Sequence, residues 1–473
     1  MGSHVPNSQP TAPITGHTPN AASERAAAVR KPAASARRRP SGSTTHKETS
    51  DGGSPRTSRT GRIGLVTPRY GADVIGGAEA VVSELAHGLA GRGWDVEILT
   101  TCARDHFTWA NAYPAGTFRE QQLTLRRFPA VVSTSRTERA ALERMIISGG
   151  SLTIAEQQRW INDDMRVPEL FHWLLDHARD YRALVFAPYM FWTTFACAQV
   201  APERTILMPC LHDEPYAYLD LFQPVFSGAR GLWFLSEPEH AVAHRIFDLP
   251  SSHEVVGSGV HPPPAYDAEG FRRRHSIAGR FVLYAGRREG AKGWEQLLAG
   301  FASAVQRYDL PFSLVTIGVG EVRPPAAIAD RVIDLGFVPE EERDSAFAAA
   351  DAYVQPSQYE SFSRTIMEAW LAGTLVIANA ASEVVAWHCE RSGAGLTYDD
   401  DVELAECLRF LASAPGAART LAAKGRPYVL EQYGPDRVLD RVEATIEAWL
   451  PVEQGAVRPA QTPSIETAGR DDA

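Results

Sequence analysis

Glu360 and Glu368 stand eight residues apart in the segment QPSQYESFSRTIMEAWLAGTLVIAN. On one helix, at 1.5 Å per residue, that spacing separates them by about 12 Å. A carboxylate pair acting on a single bond needs roughly 5–9.5 Å, so paired acid–base cleavage is a poor fit. Two hydroxyl-bearing sugars separated by a diphosphate fit better. Between the glutamates, the run SFSRT brings Phe362, Ser363 and Arg364 to the opening of a helix, where backbone N–H groups can meet phosphate oxygens. The bland alternative is two exposed helix glutamates, which the surrounding apolar residues weaken.

Three further groups could do chemistry. In LYAGRREGAKGWEQLL, Arg287 and Lys292 flank a short glycine-bearing loop before a helix. Two cations beside helix N–H groups suit a diphosphate, because Arg binds oxygen pairs and Lys acts as a point charge; the alternative is a pair of solvated cations. In TPRYGADVIGGAEA, Gly76 and Gly77 let the backbone come close to an anion at a helix start, or simply form a flexible loop. In ILMPCLHDEPYAYL, His212 follows a strand directly. His212-Asp213-Glu214 resembles a metal cluster, yet three consecutive residues rarely converge on one ion. Asp399-Asp400-Asp401 is read as a helix start, where the dipole favours acids.

These groups need strands to present them. RIGLVT (62–67), WDVEILTT, ALVFA, RTILMPC and GLWFLS read as strands, and Val81, Val82, Leu85 and Leu89 mark one face of a helix between the first two. RFVLYAG, FSLVTIG, RVIDLG, AYVQPS and LVIANA form a second such series. Alternation of this kind predicts α/β architecture: two doubly wound, Rossmann-like domains facing a central cleft, with ligands at the carboxyl ends of the strands. Residues 62–260 make the first domain, with 129–180 as a helical insertion. A Pro- and Gly-rich linker region covers 261–279, the second domain 280–432, and a helix over 433–451 returns to the first. Residues 1–61 and 452–473 lack large apolar side chains and are expected to be disordered tails.

Among 473 residues, 44% are hydrophobic and 22% charged, which excludes collagen-like, coiled-coil and wholly disordered chains. Residues 1–61 hold nine Lys or Arg against three acids, so the remainder is more acidic than the net −10 of the whole. An acidic body argues against a nucleic-acid partner. The five cysteines (Cys102, Cys197, Cys210, Cys389, Cys407) are odd in number and contain no CxxC pair. They outline neither a disulfide framework nor a zinc site, and fit a reducing, cytoplasmic setting. Arg37-Arg38-Arg39 is not followed by an apolar core, so no export signal is expected. The uncharged run from Ala183 to Ala201 approaches spanning length, but Pro188 divides it; it reads as strand–loop–helix, with peripheral membrane contact left open.

The ordered pair of motifs, Gly-Arg with Lys-Gly four residues on, then Glu and Glu after Pro-Ser, resembles the family 4 retaining glycosyltransferases of GT-B fold. The resemblance covers essentially residues 62–450 and is strongest over 280–397. It implies that Arg287 and Lys292 clamp the donor diphosphate, that Glu360 lies beside the transferred sugar, and that Glu368 holds the ribose hydroxyls. It further implies that the backbone of Val338 contacts the nucleobase, that Gly76 and Gly77 lie near the diphosphate, and that His212 lies near the reacting sugar and acceptor. The family usually has Gly where Ser363 stands, often Pro at Leu375, and commonly Asn-Gly-Val-Asp in place of GSGVHPP.

The implied activity is transfer of a hexose from a nucleotide sugar to a hydroxyl acceptor, a glycan or lipid-linked one by analogy, with retained configuration and no metal or other cofactor. A sugar phosphorylase or nucleotide-sugar epimerase of the same fold, or a non-catalytic binding subunit, are the alternatives.

Overall fold

The computed structural model describes residues 61–74, 76–134 and 136–451. The tails expected at 1–61 and 452–473 lie outside these residues, apart from Gly61. Apolar runs become two sheets. The first has eight strands: β1 (Arg62–Val66), β2 (Asp95–Thr101), β3 (Gly116–Glu120), β4 (Leu123–Phe128), β7 (Tyr181–Phe186), β8 (Thr205–Leu207), β9 (Gly231–Phe234) and β10 (His253–Val255). Their order is β10-β9-β8-β7-β1-β2-β4-β3. A two-residue pair, β5 (Val131–Val132) and β6 (Met165–Arg166), stands apart. The second sheet is parallel throughout: β11 (Arg280–Ala285), β12 (Phe312–Ile317), β13 (Val332–Asp334), β14 (Ala352–Gln355), β15 (Leu375–Asn379) and β16 (Gly395–Tyr398), in the order β13-β12-β11-β14-β15-β16.

The central parallel strands of both sheets are buried on both faces. Ala183 and Val185 of β7 join one apolar cluster while Leu184 and Phe186 join another on the opposite face. In β11, Phe281 and Leu283 share the first of those clusters, so one core continues from sheet to sheet. Strand order reverses beside β1 in the first sheet and beside β11 in the second. Crevices open at such points beyond the carboxyl ends of the strands. The loops bearing Gly76, Arg287 and Glu360 leave β1, β11 and β14 there.

Two sequence expectations need correction. The linker region 261–279 contains a helix, Ala268–Arg274, capped by Asp267, whose Oδ1 accepts from Gly270 N at 2.9 Å. Phe271 is buried in the core and Arg274 pairs with Glu342, so this stretch belongs to the second sheet's domain. Before the insertion, polar residues 116–128 form the antiparallel hairpin β3–β4, which the sequence reading lacked. The Ala183–Ala201 run is strand β7, a loop and helix Trp192–Cys197. Among the described residues, no helix is long and apolar enough to cross a membrane.

The chain crosses between the domains twice. Val260 N donates to Tyr433 O at 3.0 Å, tying the crossings together, and Arg441 Nε donates to Val256 O at 3.0 Å. Helix Pro435–Trp449 then packs on the first sheet, where Trp233 Nε1 donates to Thr445 Oγ1 and Trp94 Nε1 to Glu443, both at 2.8 Å. One flank of the crossings is aromatic: Phe362 meets Tyr433 and His388 edge-on at 4.9 and 5.5 Å. The other flank is a cavity of about 480 Å³ bordered by Gly257, Ser258, Gly259, Pro435 and Val438.

His388 is fully buried, its Nδ1 2.8 Å from Tyr428 Oη, and burial pushes it down to about 3 from its ordinary 6.5. The unfolded chain therefore takes up this proton first as the pH falls. The contribution of His388 to stability is complete above about pH 6.5 and declines toward pH 3, at about 1.4 kcal/mol per pH unit. Denaturant titrations across this range should show a slope shallower by that amount in His388→Gln.

Candidate functional site

The loop after β11 carries Arg287 and Lys292, and the loop after β14 carries Glu360. The two loops touch at Gly293, where φ is +69° and any Cβ would run into Pro356 O. That contact gives the Lys-Gly step its physical reason: only glycine allows both the left-handed turn and the approach. It brings Lys292 Nζ to 2.9 Å from Glu360 Oε1. The pair is 30% and 13% exposed, sheltered but reachable.

Adjacent arginines diverge. Arg288 is buried and spends its donors on Thr316 Oγ1, Gly318 O, Gly320 O and the Asp334 carboxylate, which fixes the loop on the sheet. Arg287 points outward, 3.4 Å from Glu289 Oε1 and 3.5 Å from Nε2 of His106 on the loop after β2. Sequence reasoning missed His106; an aromatic His-Phe step after a strand was the available signal. Burial pushes His106 down to about 4, and the charges of Arg69 and Arg287 add to the effect, so it stands neutral beside the guanidinium. Arg69 in turn makes a buried ion pair with Glu79. Gly76 is close-packed there, since a Cβ would run into the Glu79 carboxylate, whereas Gly77 faces open space.

From the first sheet, His212 reaches the same region. Its Nδ1 is 3.5 Å from Glu214 Oε1, and its ring centre lies 6.4 Å from that of Tyr359, next to Glu360. Tyr189 Oη donates to the same Glu214 oxygen at 3.1 Å. Asp213 turns away to Arg245 at 2.6 Å, which dissolves the apparent His-Asp-Glu cluster. Among the described residues, no group of three His, Cys, Asp or Glu side chains could hold a metal ion. Asp400 caps helix Asp401–Ser413, its Oδ1 accepting from Val402 N and Glu403 N.

The glutamate motif is corrected in three places. Helix Arg364–Leu371 starts after Glu360, so the separation of about 12 Å, which assumed one helix through both glutamates, does not apply. Phe362 is 2% exposed and packs in the aromatic cluster, so its side chain offers nothing to a ligand. The Arg364 guanidinium donates to Ser258 Oγ (3.2 Å) and Gly259 O (2.9 Å) of a domain crossing, not into the loop. Glu368 is on the helix, 3.4 Å from Arg343, and its buried Oε2 has no hydrogen-bond partner. Neighbouring Asp344 is pushed up to about 6, chiefly by burial. Val338 is buried in the turn after β13, which leaves its backbone as the group able to touch a ligand.

Ser363 caps that helix at φ +64°, ψ +75°, and its Oγ accepts from Gln355 Nε2 at 2.8 Å. The left-handed backbone explains why glycine suits the position. Ser363→Gly trades the hydrogen bond for backbone relief and should change stability by under about 1 kcal/mol. Ser363→Val, β-branched at positive φ, should cost about 2 kcal/mol, readable as a fall in denaturation midpoint.

Two facing doubly wound sheets with converging switch-point loops constitute the GT-B glycosyltransferase fold. Residues 279–414 match the family described as glycosyl transferases group 1. Sucrose-phosphate synthase from Thermosynechococcus elongatus superposes with a TM-score of 0.63 at 18% identity, over 82% of this chain and 99% of that one. WaaG, a glycosyltransferase of lipopolysaccharide biosynthesis, gives 0.58 at 16%, over 82% and 100%. In sequence, 2-deoxystreptamine glucosyltransferase of Streptomyces kanamyceticus is 25% identical over 211 residues, 41% of this chain and 53% of that protein. Mannosylfructose-phosphate synthase of Agrobacterium fabrum is 29% identical over 139 residues, 24% and 30% of the respective lengths. The chain thus matches about half or less of these curated relatives.

Proposed function

We propose that this protein is a retaining, metal-independent glycosyltransferase that moves a hexose from a nucleotide-diphosphate sugar to a hydroxyl of a glycan or lipid-linked acceptor in the cytoplasm. The observation that carries the reading is the Lys292–Glu360 pair at the β11/β14 switch point, with Arg287 beside it and His212 facing it from the other domain. Arg287 and Lys292 stabilise the negative charge that grows on the departing diphosphate, the largest single contribution to the rate. Glu360 sits where positive charge develops on the sugar, and Glu368, with one oxygen unpartnered, accepts from the ribose. The leaving phosphate takes the acceptor proton on the face it departs from, so no second carboxylate nucleophile is required.

A thermal-shift panel of UDP-, GDP- and ADP-sugars tests the reading. The cognate donor, a hundredfold above its Kd, should stabilise the fold by about 2.7 kcal/mol. NMR of the product should then show the donor's anomeric configuration. Turnover that requires inorganic phosphate, conversion without acceptor, or no stabilisation by any donor would replace this reading with a phosphorylase, an epimerase or a binding subunit.

A further inference from the structure

Glu239 plays no part in the chemistry above, yet it is among the most enclosed carboxylates of the chain, 1% exposed. It begins as a helix cap. Ser236 is the N-cap of helix Glu237–Ile246, and its Oγ accepts from Glu239 N at 3.3 Å. In an ordinary capping box, the glutamate three residues on reaches back to the N-cap N–H and stops there. Here the carboxylate reaches further. Its Oε2 accepts from Leu235 N, at the exit of β9, at 2.5 Å. Its Oε1 accepts from Leu211 N, in the exit loop of β8, at 2.6 Å.

Each N–H belongs to a loop that faces the cleft. Leu211 directly precedes His212 and follows Cys210, whose backbone is left-handed at φ +52°. A non-glycine residue keeps that conformation only where its surroundings impose it, and the peptide N–H that follows, that of Leu211, is held by the Glu239 oxygen. On the other side, Leu235 precedes Ser236, whose Oγ donates to Ser361 O at 2.9 Å, across the cleft and one residue from Glu360. One carboxylate thus fixes the approach of His212 and the anchor of the Glu360 loop. Burial pushes its carboxyl up to about 8, and the backbone donors on its oxygens oppose that shift.

We propose that Glu239 is a positioning residue for sugar transfer, holding His212 in register with Glu360 across the cleft. This rests on the reading of His212 and Glu360 given under Proposed function. The test uses the full chain with its donor and acceptor. Glu239→Gln keeps the side-chain size but turns an amide NH2 toward a backbone N–H. It should lower kcat by about 10- to 100-fold, the scale of a small misplacement of reacting groups, with KM for the donor within about twofold. In a His212→Ala background, the same change should lower kcat by less than about threefold, because the two act through one another.

Equal losses with and without His212, or unchanged kcat in a folded Glu239→Gln protein, would overturn the proposal. Should Glu239→Gln not fold, Ser236→Ala cuts only the cap and the link to Ser361. It should cost kcat several-fold with donor KM held, and an unchanged kcat would overturn the proposal equally. A His212→Ala protein with wild-type turnover would instead overturn the site reading on which the proposal stands.

Discussion

Glu360→Gln should lower kcat by about 10²-fold while nucleoside-diphosphate affinity stays the same or rises. Glu360 is the 2.9 Å partner of Lys292, so the free protein holds the clamp lysine on the glutamate. Amidation removes the attraction and frees Lys292 for phosphate, yet it deprives the developing oxocarbenium of a negative charge. Glu368→Gln should behave in the opposite way. Its side chain sits on the helix beside Arg343, and its unpartnered Oε2 is the acceptor a ribose hydroxyl would use. An amide in that place raises donor KM and weakens the free diphosphate alike, with kcat largely kept. Calorimetry with nucleoside diphosphate separates the two variants. Equal weakening in both would refute the division of roles.

Lys292→Ala should weaken nucleoside-diphosphate binding by about 1.5–3 kcal/mol, the worth of a charged hydrogen bond, and leave free nucleoside binding unchanged. Arg287→Ala should match it in binding. The two should differ in what remains. Without Lys292, the sheltered Glu360 carboxylate loses the cation that holds it at 2.9 Å, and its looser placement beside the sugar drags kcat down further. Without Arg287, His106, kept neutral chiefly by burial, loses one of the two guanidinium charges that add to that effect, so its protonation should move to higher pH. Arg288→Ala, by contrast, should appear in stability, because its donors serve Thr316 of β12, the strand-end loop at Gly318 and Gly320, and Asp334. Isothermal titrations with diphosphate and nucleoside, beside a melting curve for each variant, check the set.

Much of this arrangement is legible in the chain because its signals are local. Apolar runs such as FVLYA and LVIAN are bounded by turn residues and bury both faces, so strands, their alternation and the cleft follow from pattern alone. Arg287 and Lys292 could be picked out because a short loop keeps sequence neighbours together, and Glu360 because it opens its own strand-to-helix loop, though nothing in the pattern places it on Lys292. Where partners come from distant segments, pattern gives nothing. Arg287 and Arg288 differ only in which side of the strand end each leaves, and Phe362 and Arg364 are claimed by Tyr433 and Gly259, far along the chain. Glu239 looks like a routine helix cap until Leu211 arrives from another strand. The Ala268–Arg274 helix hides behind prolines, and the β3–β4 hairpin behind polar residues that interrupt the buried Leu123, Leu125 and Phe128.

The paired crossings between the domains have a mechanical consequence. Two chain segments laid side by side and joined at Val260–Tyr433 form a strap that bends readily about one axis and resists torsion. Packed aromatic rings back it on one flank and an open pocket of about 480 Å³ adjoins the other. A swing of one sheet toward the other therefore meets packed rings on one side and open space on the other, so the strap has a preferred direction in which to yield.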